Sequence, residues 1–586
     1  MTSDGVDEPP CAGTGSSRGE LTAEDSTSFR SNAEYHGVQF DPRTQLVKVS
    51  NSPRKIYRFS SCAVVGWAYS SDIRYHHSMR LGSVLQDASD RNSLTNALTH
   101  SLQSYTIGSA TATGVATSTT SRKRPIPDQG PPDGVFNGVP LYLRKAMPDL
   151  HSNVHCVGEN YQRDAWKQRS CRFDFLCFNV SENDFVVFQS AREQALSTAT
   201  IPRPFVHTSD TMLRWGPNHT QTVSIGGINQ KWGANGLRRL EWFPKVVPLP
   251  DSGSPPFAYY ALPEEMVWTP LHSLNAANPG HLVWDDFFPV YTLLHMFDLL
   301  DRHPLLLRYV LKDGLRGLWA SCDFRPDKEE ACQHLMTKFA PLMWGTESSW
   351  RFTASNNFTF VANGDVDGKD RVDLVCARTG VAGMGSLTDH GVTKSHGWMP
   401  EDYVLTQNHG RGGMLREFRH YLLSNMGLAL PQSVLQERPH RVVFSVKSSS
   451  IRNRKMDFER QMGVVSAIEG VAVESYSFQD LSVREQVEIA SRTSVFVTAC
   501  GGAAVTASFL PAGGAVVLYY SETGGAKDNR HTGLPALLDW DVFNAMSYLR
   551  VHWMPCNTVD SEIDDQTLKL LIEHEISLME SSTFTH

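Results

Sequence analysis

The segment Val495-Phe-Val-Thr-Ala499 runs straight into Cys500-Gly501-Gly502 and then into Ala503 to Leu510, which reads as a helix. A strand that ends in a glycine pair at a helix start is a place to hold an anion. The helix start offers unpaired N–H groups and about half a unit of positive charge, and glycines let a diphosphate approach the backbone with no Cβ in the way. The bland alternative is a tight turn that serves only the chain's own path. A basic run, Lys447-Ser-Ser-Ser-Ile-Arg452-Asn-Arg454-Lys455, follows another strand, Arg441 to Lys447. Loops after parallel strands share the edge at which open sheets bind ligands. Lys447, Arg452, Arg454 and Lys455 are therefore candidates to neutralise the same diphosphate, arginine by bidentate contact; a solvated basic loop is the alternative. Glu485-Gln486 falls in the first turns of a helix that opens Ser482-Val-Arg-Glu485, a capping-box pattern. The pair either reaches ribose hydroxyls or remains part of the cap.

A different chemistry is carried by Asn278-Pro-Gly-His281-Leu-Val-Trp-Asp285-Asp286. His281 and Asp285 are four apart, so on a helix they share a face. A histidine oriented by a carboxylate can take a proton from a hydroxyl. A histidine that merely caps the helix start is the competing reading. The second histidine of a zinc-protease HExxH is missing.

The elements that must hold these residues are clearest in the last third. Arg441–Lys447, Val471–Phe478, Val495–Ala499 and Ala515–Tyr520 read as strands. Between them Asp457–Ile468, Ser482–Arg492 and Ala503–Leu510 read as helices. Strands and helices alternating at this spacing predict a parallel sheet covered on both faces, a Rossmann-like domain. Earlier in the chain Asp184–Gln189 reads as a buried strand, and Phe288, Tyr291, Leu294 and His295 predict a helix over Phe287–Leu300, after the segment Pro279–Asp286. A further helix spans Gly413–Met426 and stops at Gly427.

This divides the 586 residues into a low-complexity, mostly disordered leader (1–135), an N-terminal lobe (136–435) and a C-terminal lobe (436–586). The leader carries a Ser/Thr/Ala/Gly run, Ser109–Ser121, and Ile56–Ala68 is its candidate for a short ordered piece. With 54 basic and 62 acidic residues the net charge is −8, which argues against a nucleic-acid surface. No run reaches the roughly 18 apolar residues of a membrane span, and no secretion signal or anchor is visible in this sequence. Asn179-Val-Ser, Asn218-His-Thr and Asn357-Phe-Thr fit the glycosylation sequon, at a frequency chance also gives. Cys171 and Cys177 are either disulfide-bonded to each other or two buried thiols, and without a CxxC pair a structural zinc site is not expected.

Taken together, Cys171-Arg-Phe-Asp-Phe-Leu-Cys-Phe, Asn278-Pro-Gly-His281, Leu415-Arg-Glu-Phe418, Leu481-Ser-Val-Arg-Glu-Gln486, Val495-Phe-Val, Gly501-Gly502 and Phe509-Leu-Pro-Ala-Gly513 resemble glycosyltransferase family 61, the family of EGF-domain-specific O-GlcNAc and plant xylosyl transferases. The resemblance covers about Ser170 to Pro555. It implies a GT-B architecture of two Rossmann-like lobes, with the donor nucleotide held mainly by the second. It also implies inverting transfer of a hexose or pentose from a UDP-sugar to a glycan or glycoprotein hydroxyl, in the endoplasmic reticulum or Golgi lumen. Such a step needs a base and a stabiliser of the leaving diphosphate; no metal or other cofactor is expected. On this reading His281 and Asp285 are catalytic, and Lys447, Arg452, Arg454, Glu485, Cys500, Gly501 and Gly502 bind the donor. Where the family's glycine loop usually reads His-Gly-Ala, this chain has Cys500-Gly-Gly. A catalytically inactive glycan-binding or scaffolding relative is therefore the alternative. A dinucleotide oxidoreductase would need G-x-G-x-x-G after the first strand of the domain, where Ser448-Ser-Ser-Ile-Arg stands instead.

Overall fold

The computed structural model describes residues 38–41, 46–49, 130–146, 150–157, 170–189, 223–225, 241–249, 257–273, 276–308, 322, 326–345, 353–354, 358–362, 372–383, 411–429, 438–447, 456–520, 539, 542–543, 546–555 and 562–581. Within the expected leader these include an antiparallel strand pair, Val38–Asp41 with Leu46–Val49, and the start of the strand Gly134–Phe136. Ile56–Ala68, Ser109–Ser121, Asn218 and Asn357 lie outside the described residues. Two compact units are formed. One comprises described residues of 120–396 and 420–429, and the other those of 397–419 and 430–586 with the 38–49 strand pair.

The first unit is built on a twelve-stranded mixed sheet. Its centre is the antiparallel pairing of β1 (Ser170–Asn179) with β5 (Leu374–Gly383), and β2 (Asp184–Gln189) follows β1 through a tight turn. Asn179 closes that turn: its Oδ1 accepts from the Ser181 hydroxyl at 2.9 Å and the Glu182 amide at 3.2 Å. The opposite edge of β5 carries β3 (Met266–Leu271), which is parallel to it and to β4 (His303–Arg308), itself parallel to Thr353–Ala354. The Rossmann-like lobe expected here is thus confined to that parallel run; the rest of the sheet is largely antiparallel. The reason is that β1 and β5 pair across some two hundred residues of chain, and alternation along either strand carries no record of its partner.

Strand alternation would place Cys171, Phe173, Phe175 and Cys177 on one face. Phe175 sits at φ 62°, in the left-handed region, and breaks the pattern. Cys171, Phe173, Leu176 and Phe178 therefore enter one core, while Phe175 and Cys177 enter another. The main core is aromatic: Phe178 and Phe185 lie 5.2 Å apart, Phe185 and Trp268 5.3 Å, and Phe136 and Trp268 5.5 Å, the last two edge to face as ring quadrupoles prefer. Both readings of Cys171 and Cys177, bridged to each other or left as two buried thiols, are corrected, since each is bonded to a different cysteine. Six residues of extended strand separate their Cα atoms by about 20 Å, far beyond disulfide reach. Cys171 instead bonds Cys156 on the neighbouring strand, Cys177 bonds Cys376 opposite it on β5, and Cys322 bonds Cys332.

The second unit contains the parallel sheet that the strand–helix alternation predicts. Its strands are β6 (His440–Ser445), β7 (Val471–Tyr476), β8 (Val495–Ala499), β9 (Ala515–Tyr520) and β10 (Arg550–Pro555), in the order β7-β6-β8-β9-β10, every pair parallel. All five residues of β8 are buried, as befits a central strand covered on both faces. One face packs Val442, Phe444, Val497, Val517 and Tyr519 against Leu568, Ile572 and Ile576 of the helix Glu562–Ser581. On the other, Phe496 meets Phe478 at 5.3 Å.

Candidate functional site

Each of the two units carries candidate functional residues of its own. In the parallel sheet, chain order reads 2-1-3-4-5, so connections leave in opposite directions from β6 and β8. Sheets of this kind bind ligands at that reversal, outside the carboxyl ends of the strands. Phe444 of β6 lies beside Val497 of β8. Three residues further on, the two strands deliver Lys447 and Cys500, so the basic segment and the glycine pair leave from the same edge and from adjacent strands.

Gly501 has φ 125° and ψ −161°, a conformation open to glycine and strained for other residues. It caps the helix expected over Ala503–Leu510, which spans Gly502–Phe509 and is 3₁₀. The first turn, Gly-Ala-Ala, has no side chain long enough to cap or staple an α-turn, and the bonding settles to i→i+3, beginning with Ala504 N–H to Gly501 O at 2.9 Å. The amides of Gly501, Gly502 and Ala503 precede that bond and form the start of the helix. Cys500 differs: it is buried, and its amide donates to Tyr519 O at 2.8 Å.

Lys447 is exposed and has φ 50°; its amide donates to Met456 O at 2.8 Å. That bond brings together the two ends of the intervening basic segment at the sheet edge. Arg452 and Arg454 themselves lie outside the described residues. Glu485 is in the capping box: its carboxylate accepts from the Ser482 amide at 2.8 Å and hydroxyl at 2.7 Å, while the Glu485 amide donates to Ser482 Oγ at 3.3 Å.

In the first unit, helical structure begins earlier than the apolar spacing indicates. Asn278 Oδ1 accepts from the Gly280 amide at 2.9 Å, Pro279 is tolerated in a first turn, and His281–Phe287 is wound as a π-helix before α1 (Phe288–Met296) continues it. The Phe288 amide donates to Val283 O, the i→i+5 bond of that wider turn. Such π-turns collect at functional sites. This one is the next helical element after β3, a strand parallel to both neighbours, and the chain enters it beyond that strand's carboxyl end. His281 Nδ1 is 2.5 Å from Asp285 Oδ2; the Asp285 side chain is 2% exposed and that of His281 16%. A carboxylate there holds the proton on Nδ1 and makes Nε2 the basic nitrogen. Asp286, also buried, accepts from Ser273 Oγ at 2.6 Å and ties the π-turn to the end of β3.

Two contributors escape the sequence. Ser273 lies outside any motif, and Gln486 reads as a companion of Glu485 although its side chain serves elsewhere (below). A hydroxyl two residues past a buried strand, ahead of an Asp-Asp pair, is the sole signal for the first. Among the described residues no cluster of three His, Cys, Asp or Glu could hold a metal ion. Nor, among them, is any helix long and apolar enough to cross a membrane.

Comparison with known proteins agrees with a transferase at the coarse level. The chain is 23% identical over 384 residues to the protein O-linked-mannose β-1,4-N-acetylglucosaminyltransferase 2 of Danio rerio, and equally to that of Tetraodon nigroviridis. The match covers 64% of this chain and 53% of each relative, so the chain spans about half the length of the curated relatives it matches. No protein-family model matches. The chain thus has distant relatives among glycosyltransferases.

Proposed function

We propose that the chain is an inverting glycosyltransferase of the GT-B type, moving a sugar from a UDP-sugar to a hydroxyl of a glycan or glycoprotein. The observation that carries the reading is the reversal point of the parallel sheet, where the Gly501-Gly502 amides and the roots of a basic segment leave adjacent strands. Amides, a helix start and cationic side chains stabilise a leaving diphosphate without a metal. Gly501 and Gly502 supply the first two, and Lys447, Arg452 and Arg454 the third. His281 is the base: Nε2 accepts the proton of the acceptor hydroxyl as its oxygen attacks the anomeric carbon and the bond to the diphosphate breaks. Asp285 stabilises the imidazolium that forms. The distant likeness to N-acetylglucosaminyltransferases supports this class. Three disulfides support a secretory compartment, since such bonds persist in oxidising surroundings.

The test combines ligand binding and turnover. A nucleotide that binds the native state at a hundred times its Kd adds about 2.7 kcal/mol of stability, so UDP should raise Tm where GDP does not. His281→Ala should keep that shift and lose about 10²- to 10⁴-fold in transfer, the range of a general base. Wild-type turnover by His281→Ala removes the histidine from the mechanism. Indifference to every nucleotide sinks the donor site, and UDP binding with no transfer to any glycan favours the inactive relative.

A further inference from the structure

Gln486 lies on the helix Val483–Ser491, one residue past the capping box, and is 5% exposed. Its Nε2 donates to Phe478 O at 2.7 Å and to Leu481 O at 3.1 Å. Both amide hydrogens are therefore committed to the turn that leaves β7, and this fixes which way the side-chain amide points. Oε1 must then be the acceptor it presents to the other side, and Thr506 Oγ1 donates to it at 3.2 Å. Thr506 is 1% exposed and belongs to the 3₁₀ helix that starts at the glycine pair. One glutamine thus joins the turn after β7 to the helix after β8.

Near its start that helix is held by the packing of buried Ala504 and Val505, which supplies no directional bond. Gly501 gives no side-chain cap, and Gly502, Ala503, Ala504 and Val505 carry no polar side-chain atom. Thr506 is the first residue along it able to make a directional bond. At about 2 Å of rise per residue it lies roughly 8 Å from Gly502. At the far end Tyr548 donates its hydroxyl to Ser508 O at 2.7 Å. The helix is thereby pinned at Thr506 and Ser508, with the glycine amides projecting beyond the first pin.

We propose that Gln486 is a positioning residue for the donor diphosphate: through Thr506 it sets where the Gly501-Gly502 amides stand. This rests on the donor site proposed above. The ribose contact open to the Glu485-Gln486 pair on sequence grounds is thereby replaced, for Gln486, by a bond that acts on the phosphates through the helix. A shift of a few tenths of an ångström at Thr506 is carried to the amides, because a hydrogen-bonded helix moves as a body. Amide–phosphate contacts weaken steeply with such misalignment.

The test compares Thr506→Val, which keeps shape and removes the hydroxyl, with Thr506→Ser, which keeps the hydroxyl. Gln486→Met serves as an independent second break. Calorimetric titration with UDP and NMR titration with uridine are run on each folded variant. The loss of one hydrogen bond's worth of alignment should weaken UDP about five- to tenfold in Thr506→Val and Gln486→Met. Uridine affinity should be unchanged, and Thr506→Ser should bind UDP as the wild type does. Unaltered UDP affinity in Thr506→Val, or equal loss for UDP and uridine, overturns the proposal, since a merely structural role has no reason to single out the diphosphate. Failure of the wild type itself to bind UDP is the distinct outcome that removes the donor site and this inference with it.

Discussion

The carboxylate of Glu485 accepts two hydrogen bonds from Ser482 at 2.7 and 2.8 Å, and this geometry makes a definite statement about a single substitution. Glutamine completes a capping box as glutamate does, so Glu485→Gln should leave both stability and UDP affinity close to wild type. Ser482→Ala should cost about 1 kcal/mol, the worth of an N-cap, again without touching UDP affinity. Denaturant titration and calorimetry check the pair; a selective loss of UDP binding in Glu485→Gln would return the ribose role to this residue. The cap was legible because Ser-x-x-Glu is local. So was the sharing of a face by His281 and Asp285, because four residues along a helix bring side chains together. The π-winding beneath them was not legible, since i→i+5 bonding leaves no apolar period in the sequence. Gln486 was illegible for a related reason: its partners are two carbonyls and a threonine reached only after the chain has passed through another strand.

Elements differ in how much of their placement is local. The parallel sheet of the second unit follows from strand and helix alternating within each thirty residues or so, which forces crossovers and hence parallel neighbours. The first unit's sheet pairs strands far apart in sequence, and nothing in β1 names β5. The helix Glu562–Ser581 shows a further non-local determinant, a buried charge cluster joining it to β10. Glu575, fully buried, is bonded by Arg550 Nε, and by His552 Nε2 at 2.9 Å. Burial alone would raise its carboxyl, but the His552 hydrogen bond and the Arg550 charge prevail and hold it down at about 2. A carboxylate whose folded value lies below its unfolded one stabilises the fold above the unfolded value and stops doing so as pH falls through the folded one. This carboxylate's contribution, about 3 kcal/mol, should be complete above about pH 5 and gone near pH 2. Breaking a buried pair costs about 3–5 kcal/mol, so Glu575→Gln should melt well below the wild type at pH 7. Its melting temperature should also change less than the wild type's between pH 5 and 2. Parallel acid profiles for the two proteins by circular dichroism would remove Glu575 from the stability argument.

At the scale of the whole molecule, cross-linking among the described residues is distributed unevenly. The disulfides among the described residues, Cys156–Cys171, Cys177–Cys376 and Cys322–Cys332, all belong to the first unit. The second unit's Cys500 is buried and takes part in none of these bonds. Cys177–Cys376 spans 199 residues of sequence, and closing a loop of that length in the unfolded chain is worth about 5 kcal/mol on the chain-entropy account. Losing that much is comparable with the net stability of an ordinary domain. Reduction should therefore loosen one unit and spare the other. Amide exchange in reductant should rise across β1 and β5, which the bond joins, and stay slow across β6, β8 and β9. Function should divide in the same way. The diphosphate site proposed above lies at β6, β8 and the 3₁₀ helix, so UDP should still bind the reduced protein. Sugar transfer should fall, because the proposed base His281 and its partner Asp285 stand on the cross-linked unit. Equal loss of UDP binding and transfer on reduction would mean that the first unit takes part in gripping the nucleotide, and the donor site would then have to be redrawn to include it.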